Sequence, residues 1–87
     1  MQKWCLYVLL CADGTYYTGI TTEIGRRLTE HNSTAKGAKY TRGRRPVRLV
    51  YYKVYEDRSS AQKAEHKFKR LRHAQKARII EKYTKNR

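Results

Sequence analysis

The sequence predicts an α+β fold in which three helices flank a three-stranded antiparallel sheet, in the order β-β-α-β-α-α. Three observations predict it. An unbroken apolar run at residues 4–11 is followed by the turn pair Asp13-Gly14, and a β-branched and aromatic run occupies residues 47–55. Segments with apolar residues at helical spacing follow both of these β regions.

The first half of the chain predicts two strands and a helix. The apolar run at residues 4–11 is typical of a strand buried on both faces. Residues 15–20, rich in Thr and Tyr, fit a second strand paired with the first. A helix then extends to about Asn32, with either Thr21 or Thr22 able to act as its N-cap.

The second half predicts a long basic loop, a strand and two helices. Residues 33–46 have no periodicity and carry five Lys or Arg, and a loop of this length in a small domain is usually functional or disordered. The strand at 47–55 follows. Ser59 and Gln62 resemble a capping box for the next helix, and a shorter helix is predicted from about His73 to Tyr83.

The charge predicts a polyanionic partner. The chain has 87 residues, with 21 Lys and Arg against 7 Asp and Glu, a net charge of +14. Nucleic acid is the first partner to consider, DNA foremost and RNA as a possibility, although solubility, a ribosomal role or a membrane surface would explain similar totals. We expect one domain over residues 1–87, with a core at about 3–83 and a basic C-terminal tail.

Two further features concern the compartment. No apolar stretch approaches the roughly 20 residues that span a bilayer, and the N-terminus lacks a signal-peptide pattern, so no membrane association and a cytoplasmic location are expected. Cys5 and Cys11 lie six residues apart on one predicted strand, which separates their Cα atoms by roughly 20 Å. We expect both to be free core residues.

The geometry of the hairpin decides whether two tyrosines share a site. With a two-residue loop at Asp13-Gly14, Tyr7 and Tyr17 would project from opposite faces of the sheet. With a three-residue loop and Gly14 in the left-handed conformation, Tyr7 pairs with Gly19 and both phenols point the same way.

Charged residues interrupt the apolar stripes of two helices. Arg27 and His31 occur at core spacing in the first helix, where Arg27 either extends from the core to solvent or directs a guanidinium at a phosphate. Glu65 borders the apolar stripe of a later helix among several cations. It is either half of a local ion pair or a metal ligand.

Together these residues resemble the GIY-YIG endonuclease family, and more narrowly its small bacterial members related to the catalytic N-terminal domain of the UvrC repair nuclease. The resemblance is carried by Leu6-Tyr7-Val8, by Tyr17-Thr18-Gly19 ten residues later, by Arg27 and by Glu65. The segments "YTGITT", "RRLTEHN", "KYTRGRRPVRLVY" and "AEHKFKRL", in that order, cover most of the chain.

The resemblance implies a metal-dependent DNA endonuclease, with a role in repair or processing. Tyr7 would be the general base or its helper, Tyr17 and Arg27 would hold and polarise the scissile phosphate, and His31 would support the site. Glu65 would bind one divalent ion, Mg²⁺ or Mn²⁺. We expect Arg27 and a metal-bound water to lower the pKa of Tyr7.

Two further expectations concern binding and turnover. The nucleic acid would be held through its backbone, with little sequence preference. The residues expected to hold it are Lys36, Lys39, Tyr40, Arg42, Arg44, Arg45, Lys69 and Lys76. The late asparagine of many family members has no counterpart except Asn86 near the end, and Lys76 is the candidate for its role. The alternative is therefore a module that keeps the fold and binds nucleic acid without cleaving it.

Overall fold

The computed structural model describes residues 2–86 and confirms the α+β fold. Its elements, in chain order, are β1 Trp4–Leu10, β2 Tyr16–Thr21, α1 Ile24–Ser33, α2 Lys39–Arg42, β3 Arg48–Tyr55, α3 Arg58–Lys69 and α4 His73–Lys85. The predicted order holds, with one addition. The basic segment at 33–46, predicted as a loop, contains the one-turn helix α2.

The three strands form one antiparallel sheet in the order β2-β1-β3. The central strand β1 is buried along most of its length, as its unbroken apolar sequence predicts. Cys5 is buried on this strand and Cys11 just beyond it, and both are free cysteines, as expected.

The core lies on both faces of the sheet. On one face, Tyr7 and Leu9 of β1 pack against Ile24 and Leu28 of α1. On the other face, Val8 packs against Phe68 of α3 and Ile80 of α4. Alternate residues of β1 therefore contact different helices, because successive side chains of a strand point to opposite faces.

The predicted start of the last helix at His73 is confirmed, but the N-cap residues predicted for α1 and α3 were wrong. Helix α3 is capped by Asp57, whose carboxylate accepts a hydrogen bond from the Ser60 backbone N–H at 2.8 Å, so Ser59 lies inside the helix. Helix α1 has Glu23 at its N-cap position, without a side-chain cap. The Thr21 hydroxyl instead accepts a hydrogen bond from the Glu23 N–H, just before the helix begins.

Within residues 2–86, none of the helices is long and apolar enough to cross a membrane.

Candidate active site

The β1–β2 hairpin places Tyr7 and Tyr17 on the same face of the sheet. Tyr7 pairs with Gly19 and Leu9 with Tyr17, which is the register of the three-residue loop. Gly14 has a φ of 86° and its N–H donates to the Cys11 carbonyl at 2.9 Å, so the turn uses the left-handed conformation that glycine favours. The ring centroids of Tyr7 and Tyr17 lie 6.4 Å apart.

The ring of Tyr7 lies directly over Gly19. A Cβ atom on Gly19 would lie 2.5 Å from the Tyr7 hydroxyl oxygen and 2.7 Å from the ring carbon that carries it. Tyr7 itself is 1% exposed. The absence of a side chain at Gly19 therefore lets the phenol of the central strand extend across the edge strand β2.

His31 of α1 joins Tyr7 to the basic segment. Its ring is fully buried, and its Nε2 lies 2.8 Å from the Tyr7 hydroxyl. Its Nδ1 lies 2.8 Å from the hydroxyl of Thr41 in α2, which is also fully buried. Thr41 lies in a segment without periodicity, so no sequence pattern indicated it.

Burial holds His31 in its neutral form. Burial, followed by the positive charge of Arg27, lowers the pKa of His31 to about 4. The guanidinium of Arg45 also lowers this pKa, whereas the Glu30 carboxylate raises it. The imidazole is therefore uncharged at neutral pH and has one protonated nitrogen.

This pKa predicts a pH dependence of stability. Above pH 6.5 His31 is neutral in both the folded and the unfolded chain. As the pH falls from 6.5 towards 4, the unfolded chain takes up a proton that the folded chain excludes, and the free energy of unfolding should decrease by about 3 kcal/mol. Urea unfolding at a series of pH values measures this slope.

Two variants distinguish the contribution of His31 to this pH dependence from the general effect of acid on a cationic protein. His31→Gln should flatten the slope between pH 6.5 and 4.5, whatever its effect on stability at pH 7. His66→Gln removes an exposed histidine of α3 and should leave the slope as in the wild type. Equal slopes in all three proteins would show that His31 is not the group responsible.

The environment of Tyr7 corrects one expectation from the sequence. Burial, with the neighbouring Tyr17 phenol and the Glu65 charge acting in the same direction, raises the pKa of Tyr7 to about 12, although Arg27 lowers it. We expected Arg27 to lower the pKa below its usual value, but desolvation of the phenolate outweighs the guanidinium. Tyr7 is a protonated phenol at neutral pH.

Arg27 is held in place from two sides. Its Nη1 donates to the Glu30 carboxylate at 2.9 Å and to the Lys36 carbonyl at 2.8 Å, and its side chain is 25% exposed. Burial acts to lower the pKa of Arg27, but its hydrogen bond to Glu30 and its interaction with the Tyr7 phenol outweigh burial, so the pKa is raised. The guanidinium is thus a fixed cation beside the Tyr7 phenol.

Glu30 is a second residue that the sequence analysis missed. Its carboxylate accepts from Arg27 and also from Arg26, at 3.0 Å, and the bond from Arg27 is the main cause that lowers the pKa of Glu30. The signal was present in the sequence, since Glu30 follows the two arginines at the helical spacings of four and three residues.

Glu65 belongs to α3, which packs through Phe68 on the other face of the sheet and contacts both β1 and β2. Its side chain is 22% exposed, and its Oε2 lies 3.2 Å from the Lys69 ammonium. Its negative charge is close enough to raise the pKa of Tyr7. The pairing with Lys69 is the local ion pair that the sequence allowed, and it leaves the second carboxylate oxygen for another ligand.

The donor set fits one kind of metal site. Within residues 2–86, no three His, Cys, Asp or Glu side chains come together as a metal-binding group. Mg²⁺ keeps several waters and is often bound through one or two carboxylates together with substrate phosphates. Glu65 therefore fits a magnesium site that is completed by the phosphate of a nucleic acid.

Tyr40 is the exposed aromatic side chain of the basic segment. Its ring is 38% exposed and lies 5.9 Å from the Tyr17 ring, centroid to centroid. The Arg44 guanidinium lies 3.9 Å from its centroid and also pairs with Asp13 at 2.9 Å. Tyr40 thus packs onto the hairpin and still presents part of its ring next to Tyr17.

Arg45, which was expected to contact nucleic acid, is bound within the protein. Its guanidinium donates to the carbonyls of His31, Glu30 and Thr34 at the C-terminal end of α1, with 2.6 Å to Thr34. The Glu30 carbonyl also accepts the Thr34 N–H at 3.2 Å, and a guanidinium at this end of the helix adds donors for its last carbonyls and complements the helix dipole. Arg45 is therefore a helix cap, which its sequence position in a run of cations did not reveal.

The other residues predicted to bind nucleic acid differ in how exposed they are and in whether they are already paired. Lys36, Lys39 and Arg42 are exposed around α2. Lys69 is exposed but paired with Glu65. Lys76 is half-buried in α4, a helix that packs on β3. None of the contacts described for residues 2–86 joins Lys76 to the tyrosines or Arg27.

The comparison with protein families decides the identity of the fold. A family described as the GIY-YIG catalytic domain matches residues 3–86. The chain belongs to the GIY-YIG family. GIY-YIG domains are typically nuclease domains that act on nucleic acid and generally depend on a divalent metal ion.

Its relatives are UPF0213 proteins, whose name states no activity. The UPF0213 protein of Desulfotalea psychrophila is 57% identical over 77 residues, which cover 88% of this chain and 70% of that protein. A UPF0213 protein of Bacillus cereus is 49% identical, over 93% of this chain and 83% of its own length.

Two solution NMR structures share the fold of this GIY-YIG protein. A protein from E. faecalis is 49% identical, with a TM-score of 0.65 over 97% of this chain and 88% of that one. The UPF0213 protein of Bacillus halodurans is 39% identical, with a TM-score of 0.58 over 91% and 83% of the two chains.

Proposed function

We propose that this protein is a metal-dependent DNA endonuclease that hydrolyses phosphodiester bonds with little sequence preference, in DNA repair or processing. One observation carries the proposal. Tyr7, Tyr17 and Arg27, which come from two strands and a helix, share one face of the sheet, and the Glu65 charge acts on the same phenol.

Arg27 supplies the fixed positive charge that phosphodiester hydrolysis requires. Negative charge accumulates on the phosphate oxygens in the transition state, and preorganised donors stabilise it without rearranging. Since Glu30 and the Lys36 carbonyl both bind Nη1, the remaining N–H groups of the guanidinium are those available to a phosphate.

Tyr7 serves as the helper of the general base. Because its pKa is raised to about 12, the phenol remains protonated and its oxygen can orient an attacking water by accepting a hydrogen bond. Tyr17 lies next to it, and its ring is packed between those of His31 and Tyr40, with centroid distances of 5.0 and 5.9 Å. Tyr17 is thus held at the entrance to the site.

Glu65 is the proposed ligand of the divalent ion, Mg²⁺ or Mn²⁺. Such an ion, when bound, stabilises negative charge on the phosphate and the leaving oxygen. Lys69 neutralises the carboxylate in the absence of the ion, at 3.2 Å. Metal affinity without nucleic acid should therefore be low.

The exposed cations around α2 form the proposed DNA-binding surface. Lys36, Lys39 and Arg42 lie in the segment that also carries Tyr40, next to Tyr17. Lysine and arginine contacts to phosphates position a nucleic acid without reading its sequence, and the exposed part of the Tyr40 ring can stack on an unpaired base.

A nicking assay tests the proposal. Purified protein is incubated with supercoiled plasmid, with branched DNA and with RNA in Mg²⁺, in Mn²⁺ or in EDTA, and binding is measured in parallel. We expect cleavage in either metal and none in EDTA. Binding without cleavage in all three conditions would instead support the non-catalytic module, and cleavage of RNA alone would overturn DNA as the substrate.

A further inference from the structure

Thr41 has an environment that its position in a surface segment does not explain. It belongs to the one-turn helix α2, yet its side chain is fully buried. Its hydroxyl contacts His31 Nδ1 at 2.8 Å and the Ala38 carbonyl at 2.9 Å. Burial of a hydroxyl is unfavourable unless hydrogen bonds compensate for it, so these two contacts account for a threonine here rather than a valine.

Counting protons assigns the direction of each bond. A threonine hydroxyl has one proton, and the Ala38 carbonyl can only accept. The Thr41 hydroxyl therefore donates to Ala38 and accepts from His31, which requires the proton of the neutral imidazole to be on Nδ1. His31 Nε2 is then bare, and the Tyr7 hydroxyl, 2.8 Å away, donates to it.

One contact favours the opposite arrangement. The Ala38 N–H lies 3.4 Å from His31 Nδ1, which it could approach only as a donor to a bare nitrogen. That distance is at the long limit for a hydrogen bond, whereas the bonds that require a protonated Nδ1 measure 2.8 and 2.9 Å. The two shorter bonds of the Thr41 hydroxyl therefore decide that the imidazole proton is on Nδ1.

The charge of Arg27 agrees with the same direction. The guanidinium acts on the Tyr7 phenol, and a cation attracts the hydroxyl oxygen and repels the hydroxyl proton. The bare Nε2 of His31, 2.8 Å from that oxygen, is the acceptor that the proton finds.

We propose that Thr41 is a positioning residue that fixes His31 as the Nδ1–H tautomer and thereby directs the Tyr7 proton towards His31. This inference rests on the proposed nuclease function for its catalytic consequence. The phenol oxygen then has a lone pair left for the attacking water. In the other tautomer, Nε2–H would donate to that oxygen and occupy a lone pair, and the phenol proton would turn away from His31 towards the position of the water.

Nitrogen-15 NMR of the histidine rings tests the tautomer without relying on activity. In the wild type at pH 7, the Nδ1 of His31 should be protonated and its Nε2 unprotonated. Thr41→Val keeps the shape of the side chain but removes the hydroxyl, so the Ala38 N–H should draw His31 to the Nε2–H form. Thr41→Ser restores the hydroxyl and should restore the wild-type spectrum.

Single-turnover cleavage supplies the second readout. Thr41→Val should reduce the rate of the chemical step by about 10²-fold, with DNA affinity unchanged. The Tyr7 oxygen that orients the attacking water would still be present but would be misdirected. Thr41→Ser should recover most of that rate. A purely packing role for Thr41 would predict the reverse, with valine tolerated better than serine.

The two readouts separate the two claims. An Nε2–H tautomer in the wild-type protein would overturn the role of Thr41. This measurement uses the wild-type protein alone and does not depend on the folding of a variant. The predicted tautomer in a wild-type protein that cleaves no DNA would leave the assignment of Thr41 and His31 intact and would refute the nuclease function.

Discussion

Arg27→Ala should reduce the single-turnover rate of DNA cleavage by about 10³-fold while leaving the fold intact. The guanidinium is the fixed cation beside Tyr7, and its removal deprives the transition state of positive charge that no other described residue supplies from the same position. Arg27→Lys should restore little, because an ammonium cannot bind Glu30 and a phosphate in the same planar geometry.

Stability should change little in the Arg27 variants. Glu30 keeps Arg26 as a partner at 3.0 Å when Arg27 is removed. Ion pairs of this kind contribute at most about 1 kcal/mol. Thermal unfolding can therefore show that lost cleavage is not lost folding.

Arg26→Ala is the matched control, because both arginines bind the same carboxylate from neighbouring positions of α1. The Arg26 side chain is 59% exposed, against 25% for Arg27. Arg26→Ala should cleave DNA nearly as the wild type does. Equal losses in the two variants would attribute the effect to the charge of α1 and would remove Arg27 from the site.

Gly19→Ala should impair both folding and cleavage. The added Cβ would lie 2.5 Å from the Tyr7 hydroxyl oxygen, and Tyr7 cannot yield easily because its hydroxyl is bound to the buried His31. Overpacking of this kind costs about 2 kcal/mol, which in a domain of this size lowers the melting temperature by roughly 10 °C. Displacing the phenol oxygen should lower the cleavage rate by about 10²-fold.

Gly25→Ala is the matched control for Gly19→Ala. A Cβ on Gly25 in α1 would meet no atom within 4 Å, and alanine is favoured over glycine within a helix. This variant should be slightly more stable than the wild type and equally active. If Gly19→Ala also melted and cleaved like the wild type, the close approach of Tyr7 to Gly19 would have no functional importance.

The strands of the sheet and the position of the hairpin turn were predictable because local physics determines them. The apolar run of β1 reflects burial on both faces, and the loop geometry that puts Tyr7 opposite Gly19 was one of two alternatives that Asp13-Gly14 allowed. The pattern could not choose between them. Tertiary contacts, above all the packing of the Tyr7 ring over Gly19, distinguish the two registers.

The features that sequence reasoning missed depend on contacts between distant segments. Arg45 caps α1 from 14 positions beyond His31, and Thr41 reaches His31 across ten positions. Neither spacing has a periodicity that a pattern could reveal. The prediction for the pKa of Tyr7 failed for a related reason, since the sequence shows the neighbouring arginine but not the degree of burial.

The central claim is that Glu65 acts with the tyrosines and Arg27 in one metal-dependent site. Its most direct test is the Mg²⁺-dependent cleavage rate of Glu65→Gln, measured together with DNA affinity. Glu81→Gln is the control, because Glu81 forms the same type of ion pair with Lys85, at 3.1 Å, on the exposed surface of α4. We expect Glu65→Gln to bind DNA without cleaving it and Glu81→Gln to cleave as the wild type does. Wild-type cleavage by Glu65→Gln would contradict the proposed site.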